Sequence, residues 1–533
     1  MKKDTSLYGA FAAGTEKTEP SLPCILYMNK AIPYGKVKAR IRRTAAALTA
    51  FGIKAGDVVM SALPNIPQAM YVLYAASAVG AVIYPVHPVT GAEALGAMIQ
   101  KTRAKILFAP DVFCAAYAEA CERAGAAIIS CRPTFDAGAA VKIGYRLTAK
   151  IPGCSAIKFT EFLKRGRGRA AAYAETDPRA TAVLLNSGGT GGEPKTVELS
   201  AYALNALCDN GLSILGADNV GNKYMLSVLP FFHGFGLCMG LHAMACHGGC
   251  NVFVPRFKRK PVIDYIKKGK INFMIGVPAL YNALLSHPEF KGEKLKNIEA
   301  AFIGGDFVPQ TVIEAFDERM LESGSRARLF EGYGLTETVT VACVNTHARN
   351  KPNTVGAPLN GVEISAIDGE LVVRGETLMN GYYGDPDATA AAFVTDAEGK
   401  RWLRSGDCGF VDGDGFVRFK QRIKRIIKVS GATVFPSEIE QLASRESGVT
   451  NVCAFGVPDG RRGDKVVLAV ESSVPDTAGL ISRLRERLDA NLSVDSRPRE
   501  IFVTARLPLT KVGKADVDAL KKICSENKLT ETR

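Results

Sequence analysis

From Ile25 onward the chain alternates between two textures. Stretches with apolar residues every three or four positions read as helices. Apolar runs of four to seven residues, bounded by Gly, Pro or Asn, read as strands buried on both faces. Tyr34–Ala50 (YGKVKARIRRTAAALTA) predicts a helix with one apolar and one basic face. VVMSALP predicts a short buried strand, the next helix starts near Ile66, and a further strand covers 81–84. The runs AKILFAP (104–110), AAIIS (126–130), TAVLLNS (181–187), YMLSVLP (224–230), NVFVP (251–255), INFMIG (271–276) and AAFIGG (300–305) continue the series. Such alternation predicts an α/β fold with largely parallel sheets.

Past residue 360 the pattern changes to hairpins, with turns at Asp368-Gly369 and Asp412-Gly413-Asp414-Gly415. After Lys420 a compact βα pattern resumes. It contains a helix over 436–444 with Ser437 as N-cap, the strands VTNVCAFGV and DKVVLAVESS, and a helix over 478–492. The basic stretch 421–428 separates the textures. The expected architecture is a large N-terminal domain, residues 1–421, of largely parallel βα layers with a β-rich subdomain. A small α+β C-terminal domain, residues 422–533, follows on a hinge.

Composition narrows the classes. At 533 residues, 47% hydrophobic and 23% charged, the chain is globular rather than disordered, collagenous or coiled-coil. No repeat of solenoid or propeller length is visible. The net charge of +14 suits polyanionic partners, but it is spread along the chain and no Walker A loop is present. A nucleic-acid partner is therefore not expected. Thirteen cysteines without a C-x-x-C pair point to a reducing cytoplasm, and the N-terminus lacks a signal-peptide pattern. Residues 58–92 and 225–255 carry no Asp, Glu, Lys or Arg, yet prolines and histidines interrupt both. They read as buried core, not as membrane spans.

Four motifs carry chemistry. In LLNSGGTGGEPKTV, a strand runs into Ser187, Gly188, Gly189, Thr190, Gly191 and Gly192, followed by Lys195. Glycines let backbone N–H groups turn onto a bulky anion, and the hydroxyls and the lysine add donors and charge. In EGYGLTETV, Thr336 and Glu337 pair a hydroxyl with a carboxylate, a combination that suits Mg²⁺ bridging to phosphate. Tyr333 between two glycines offers a ring face. In WLRSGDCGFVDGDGF, Asp407 can accept from a diol, whereas Asp412 and Asp414 read as turn acids because no EF-hand glutamate follows. LPLTKVGKAD ends with Lys514 after a glycine. Cys238, His242, Cys246 and Cys250 recur every four residues, but Gly248 and Gly249 end that helix before Cys250, so core packing is the reading.

In this order and at these separations the motifs resemble the adenylate-forming superfamily of acyl-CoA synthetases, aryl-CoA ligases, luciferases and peptide-synthetase adenylation domains. GAVIYPVHP, LPFFHGFG, GVPALY, GELVVRG, GYYGDP and QRIKRIIKVSGATVFPSEIE fit as well, so the resemblance spans nearly the whole chain. It implies that the 187–195 loop clamps the β- and γ-phosphates of ATP. Tyr333, flanked by Glu331, Gly332 and Gly334, stacks on adenine; Glu337 holds Mg²⁺ with Thr336 beside the α-phosphate. Asp407 and Arg422 take the ribose, His233 borders the acyl site, Lys424 is the hinge and Lys514 is the catalytic lysine. Departures are Gly191, where the family carries Ser or Thr, Gln421 before Arg422, and Arg425 where an acid is common.

The implied function is an acyl-CoA synthetase: a carboxylic acid reacts with ATP to give an acyl-adenylate, and CoA then takes the acyl group. The alternative is a stand-alone adenylating ligase that loads an acyl or amino acid onto the phosphopantetheine of a carrier protein, such as an acyl carrier protein. Amino-acid-activating relatives place an aspartate where His233 stands. With Phe235, Leu237, Cys238, Ile303 and Val341 as an apolar wall, a fatty or aryl acid is favoured.

Overall fold

The computed structural model describes residues 2–187, 195–430, 432–460, 463–509 and 515–525. Two large sheets dominate the first 360 residues. One has eight strands and contains Val58–Ser61, Val82–Pro85, Ile106–Pro110, Ala127–Cys131 and Thr181–Asn186 in parallel register. The other has nine strands, with Tyr224–Ser227, Cys250–Phe253, Phe273–Gly276, Ala300–Ile303 and Leu329–Tyr333 in parallel. These are the runs that the sequence marked, displaced by up to three residues at their ends, where pairing rather than composition sets the limit. Most of them are fully buried, as two-sided parallel strands require, while Thr181–Asn186 and Leu329–Tyr333 are half-buried in part.

Between the sheets lies the helix Pro67–Ala78, in which all twelve residues are buried. A helix that is apolar all round belongs inside a large core. Two of its polar side chains find partners there: Tyr71 donates to Asp136 Oδ2 at 3.0 Å and Gln68 Nε2 to the Arg132 carbonyl at 2.7 Å. This accounts for the first uncharged stretch. The second forms a strand, then a nine-residue π-helix Phe235–Ala243, then the strand Cys250–Phe253. Among the described residues no helix is long and apolar enough to cross a membrane.

The hairpins form a five-stranded antiparallel sheet containing Val362–Ile367, Glu370–Gly375, Arg401–Val411 and Val417–Arg422. Asp368 and Gly369 both take positive φ, 50° and 77°, as a two-residue type I′ turn demands. Asp412 and Asp414 are turn acids held by Lys351 Nζ, at 2.8 Å and 2.5 Å. C-terminal to Arg422, a three-stranded sheet of Asn451–Pro458, Asp464–Glu471 and Glu500–Thr504 packs on the helices Pro436–Ala443 and Thr477–Asn491. Ser437 is not the N-cap. Pro436 occupies the first turn, the cap is Phe435, and Ser437 Oγ donates to the Lys420 carbonyl instead. A proline at the helix start moved the cap back by two residues.

Candidate active site

The candidate residues gather at the carboxyl ends of the parallel strands, where open α/β sheets place their ligands. Leu329–Tyr333 delivers Glu331, Gly332 and Tyr333; Thr181–Asn186 delivers Ser187. Tyr333 Oη donates to Asp407 Oδ2 at 2.6 Å, and Arg422 Nε lies 3.0 Å from Asp407 Oδ1. Asp407 is fully buried and its N–H donates to Ser405 Oγ at 3.0 Å. Burial, reinforced by the Asp407 charge, pushes the Tyr333 phenol well above its ordinary value, so it remains a donor. The expected adenine-stacking ring and both expected ribose-binding side chains are thus joined in one unit by a hydrogen bond and an ion pair, with Phe419 beside Tyr333 at 5.8 Å between ring centroids.

A second unit surrounds Glu337. Thr336, Glu337 and Thr338 form a 3₁₀ turn. The next residue, Val339, adopts φ 63° and ψ −57°, and Thr340 N–H donates to the Thr338 carbonyl at 2.7 Å. That is the geometry of the strained γ-turn. Its carbonyl presses on the loop carrying His233: a Cβ on Gly234 would fall 1.8 Å from Val339 O. Gly334 is equally close to Thr340 O, at 1.9 Å, so the second glycine of the G-Y-G turn is needed for backbone approach.

Glu337 Oε1 accepts from Tyr382 Oη at 2.9 Å, and Lys195 Nζ sits 4.4 Å from the Tyr382 ring centroid. Tyr382 lies in the GYYGDP motif, whose place in the family pattern was legible in the sequence while its role was not. The base of the glycine loop is closed by Ser187 N–H donating to the Lys195 carbonyl at 2.8 Å and Lys195 N–H donating to Ser187 Oγ at 3.2 Å. Gly188, Gly189, Thr190, Gly191, Gly192 and Lys514 lie outside the described residues.

Glu331 is half-buried, and burial pushes its carboxyl up to about 8. His233 is half-buried beside Phe232, with ring centroids 4.8 Å apart; His87 flanks the other side of Phe232 at 4.7 Å. Leu237, Ile303 and Val341 are buried and Phe235 is half-buried. Leu237 lines a small apolar cavity with Leu63, Leu73, Phe231 and Leu241, whereas Ile303 packs in a separate cluster. Cys238 donates its thiol to the Leu204 carbonyl.

Two of the departures from the family pattern, Gln421 and Arg425, acquire structural roles. Gln421 is buried and its Oε1 accepts from Ser437 N–H at 3.0 Å. Arg425 pairs with buried Glu440 at 2.5 Å and also donates to the Ala454 carbonyl at 3.2 Å, so its guanidinium is spent inside the C-terminal unit. Lys424 is exposed in the 3₁₀ turn Ile423–Arg425. In the cysteine series the structure joins His242 and Cys246 to Cys208, while Cys250 leaves on a strand. His242 Nδ1 meets Tyr74 Oη and Nε2 meets Asn205 Oδ1, each at 2.9 Å, so both ring nitrogens are engaged in a hydrogen-bonded core.

Residues 12–383 match the AMP-binding enzyme family and residues 438–514 match the AMP-binding enzyme C-terminal domain. A long-chain-fatty-acid–CoA ligase of Bacillus subtilis is 26% identical, over 93% of this chain and 90% of its own. A propanoyl:CoA ligase of Mycobacterium tuberculosis, named for a methyl-dioxo-octahydroindenyl acyl group, is 30% identical over 90% of this chain and 91% of its own. Among solved structures, ATP-bound MatB from Rhodopseudomonas palustris superposes with a TM-score of 0.84 at 22% identity, covering 98% of this chain and 99% of its own. The anthranilate CoA ligase AuaEII with anthranoyl-AMP gives 0.84 at 19% identity, covering 98% of each. The chain belongs to the AMP-binding enzyme family and is an ATP-dependent, AMP-forming ligase of carboxylic acids.

Proposed function

We propose that this enzyme is an acyl-CoA synthetase that activates an apolar carboxylic acid, fatty or aryl, and transfers it to CoA. The observation that carries the reading is the convergence of the Tyr333–Asp407–Arg422 unit and the Lys195–Tyr382–Glu337 unit at the strand ends. The first suits a nucleoside, the second a polyphosphate with its cation. The names of the relatives, CoA ligases of long-chain fatty and ring-bearing acids, support CoA over a carrier protein as acceptor.

In this reading the acid's carboxylate attacks the α-phosphorus of ATP and pyrophosphate leaves. The thiol of CoA then attacks the acyl carbon and AMP leaves. The protein's contribution is positioning and charge neutralisation. Lys195 and the Ser187–Gly192 loop hold the β- and γ-phosphates, Thr336 faces the α-phosphate, and Lys514 bridges the carboxylate and the phosphate. Glu337 fits a Mg²⁺ ion, since this cation is commonly bound by one carboxylate together with substrate phosphates and waters. Bound there, the ion would neutralise phosphate charge. Tyr382 keeps one carboxylate oxygen oriented. A hinge at Lys424 joins residues 1–421 to a mobile unit, 422–533.

The test is a panel of fatty, aryl and amino acids scored by pyrophosphate release and thioester formation, with and without CoA. The reading expects acyl-CoA from an apolar acid without any partner protein. Preference for amino acids, or turnover only with a carrier protein, would reject it.

A further inference from the structure

The helix Ala139–Thr148 (AAVKIGYRLT) is unlike the rest of the molecule. Among the described helices of eight or more residues it alone buries no residue, and exposure continues through Ser155. Eleven large hydrophobic side chains are exposed among the described residues, and four of them, Val141, Ile143, Leu147 and Ile151, fall within this one segment. Leu147 is the most exposed of all, at 81%. Scattered exposed apolar residues are ordinary, but a cluster signals a surface that meets something.

The helix is held at a fixed attitude. Tyr145 donates to Asp111 Oδ1 at 2.5 Å, and Asp111 is itself buried and paired with Arg132 at 3.3 Å. Ile143 and Leu147, four residues apart, share one ridge of the helix. Lys142 and Arg146 share the adjacent ridge. Lys150 precedes Ile151 in the irregular segment that follows. Across residues 139–169 there are eight Lys and Arg and a single acid, Glu161, so this stretch supplies +7 of the chain's net +14. An apolar ridge bordered by cations, on a helix tied to the protein through Tyr145, is the pattern of a segment that rests in a lipid interface.

We propose that the helix Ala139–Thr148 and the irregular segment after it dock this enzyme on an anionic lipid bilayer. Ile143, Leu147 and Ile151 enter the headgroup–acyl boundary, and Lys142, Arg146 and Lys150 face the acidic headgroups. Charge complementarity selects this occupant: the segment's local charge suits an extended anionic plane, and each cation near such a surface strengthens binding about fivefold at low salt. The surface is independent of which acid the enzyme activates.

The experiment is sedimentation of the full-length enzyme with phosphatidylcholine vesicles, with and without phosphatidylglycerol, at low and high salt. The wild type is expected to pellet with the phosphatidylglycerol vesicles and to release as salt rises. Ile143→Ser/Leu147→Ser should lower the partition coefficient about tenfold or more. Lys142→Ala/Arg146→Ala/Lys150→Ala should lower it on the order of a hundredfold at low salt. Both variants should keep wild-type pyrophosphate release with a water-soluble acid, which confirms folding and separates this test from the choice of substrate. No binding by the wild type, equal binding to pure phosphatidylcholine, or unchanged binding by the Ser pair overturns the proposal. So does a wild-type dimer that the Ser pair converts to monomer, or capture of an acidic carrier protein without vesicle binding.

Discussion

Tyr382 donates a 2.9 Å hydrogen bond to Glu337 Oε1, and the two residues are 45 positions apart in the chain. The same tyrosine ring faces Lys195 Nζ. One phenol therefore ties the carboxylate proposed to hold Mg²⁺ to the lysine proposed to hold phosphate.

Replacing Tyr382 by Phe retains the ring and removes the hydroxyl. A hydrogen bond to a charged acceptor contributes about 1.5–3 kcal/mol, less where the group is half-exposed. Tyr382→Phe is expected to raise the Mg²⁺ concentration needed for half-maximal pyrophosphate release by about tenfold, with little change in the KM for the acid. Glu337→Ala should abolish adenylation while leaving the melting temperature near wild type. Unchanged Mg²⁺ dependence in the phenylalanine variant would show that the hydroxyl only fills space.

Gly234→Ala forces a methyl group against the Val339 carbonyl, 1.8 Å from its ideal position. Backbone must move, and overpacking of this kind costs about 1–3 kcal/mol. The variant should melt lower and lose most adenylation, because the γ-turn following Glu337 is displaced. Gly144→Ala is the control: its helical Cβ meets nothing within 4 Å, and alanine favours the helix by about 1 kcal/mol. A Gly234→Ala enzyme with normal melting and turnover would show that the two loops can separate freely.

Glu331 gives a pH signature. Its folded value of about 8 lies above the ordinary glutamate value of about 4.3. For a raised group the stabilising contribution is complete below the unfolded value and is lost as pH climbs to the folded one. Glu331→Gln cannot ionise. Its melting temperature should therefore gain on the wild type progressively between about pH 4.3 and 8, and then run parallel to it. Melting curves that stay parallel across that interval would place the carboxyl in contact with water.

Lys514 is proposed to act only while the adenylate forms. Lys514→Ala should cut that half-reaction by roughly 10²–10³, by analogy with losing an oxyanion donor. Thioester formation from supplied acyl-adenylate and CoA should persist. Equal loss in both half-reactions would indicate a folding defect, and no loss in either an uninvolved surface lysine.

Sequence by itself determined the class of fold and nominated the candidate site residues. Apolar runs bounded by Gly, Pro and Asn located the parallel strands because strands buried on both faces leave no room for polar residues. The helix Tyr34–Ala50 fell where its spacing placed it, since amphipathic period is a local property. The motif order identified the family because the order is carried by the chain itself.

What only the tertiary structure decided depends on residues distant in sequence. Ser437 looked like a cap but is claimed by the Lys420 carbonyl, a contact invisible to local pattern. Arg425 stood out as a foreign charge until Glu440 and Ala454 were seen to receive it. Cys208 joined His242 and Cys246 only because two helices pack together. Tyr382 acquired its link to Glu337 and Lys195 by strand pairing between Gly381–Tyr382 and Thr196–Ser200. The exposure of Ile143 and Leu147 was equally illegible, because periodicity reports that a helix has an apolar face and is silent on whether the fold covers it.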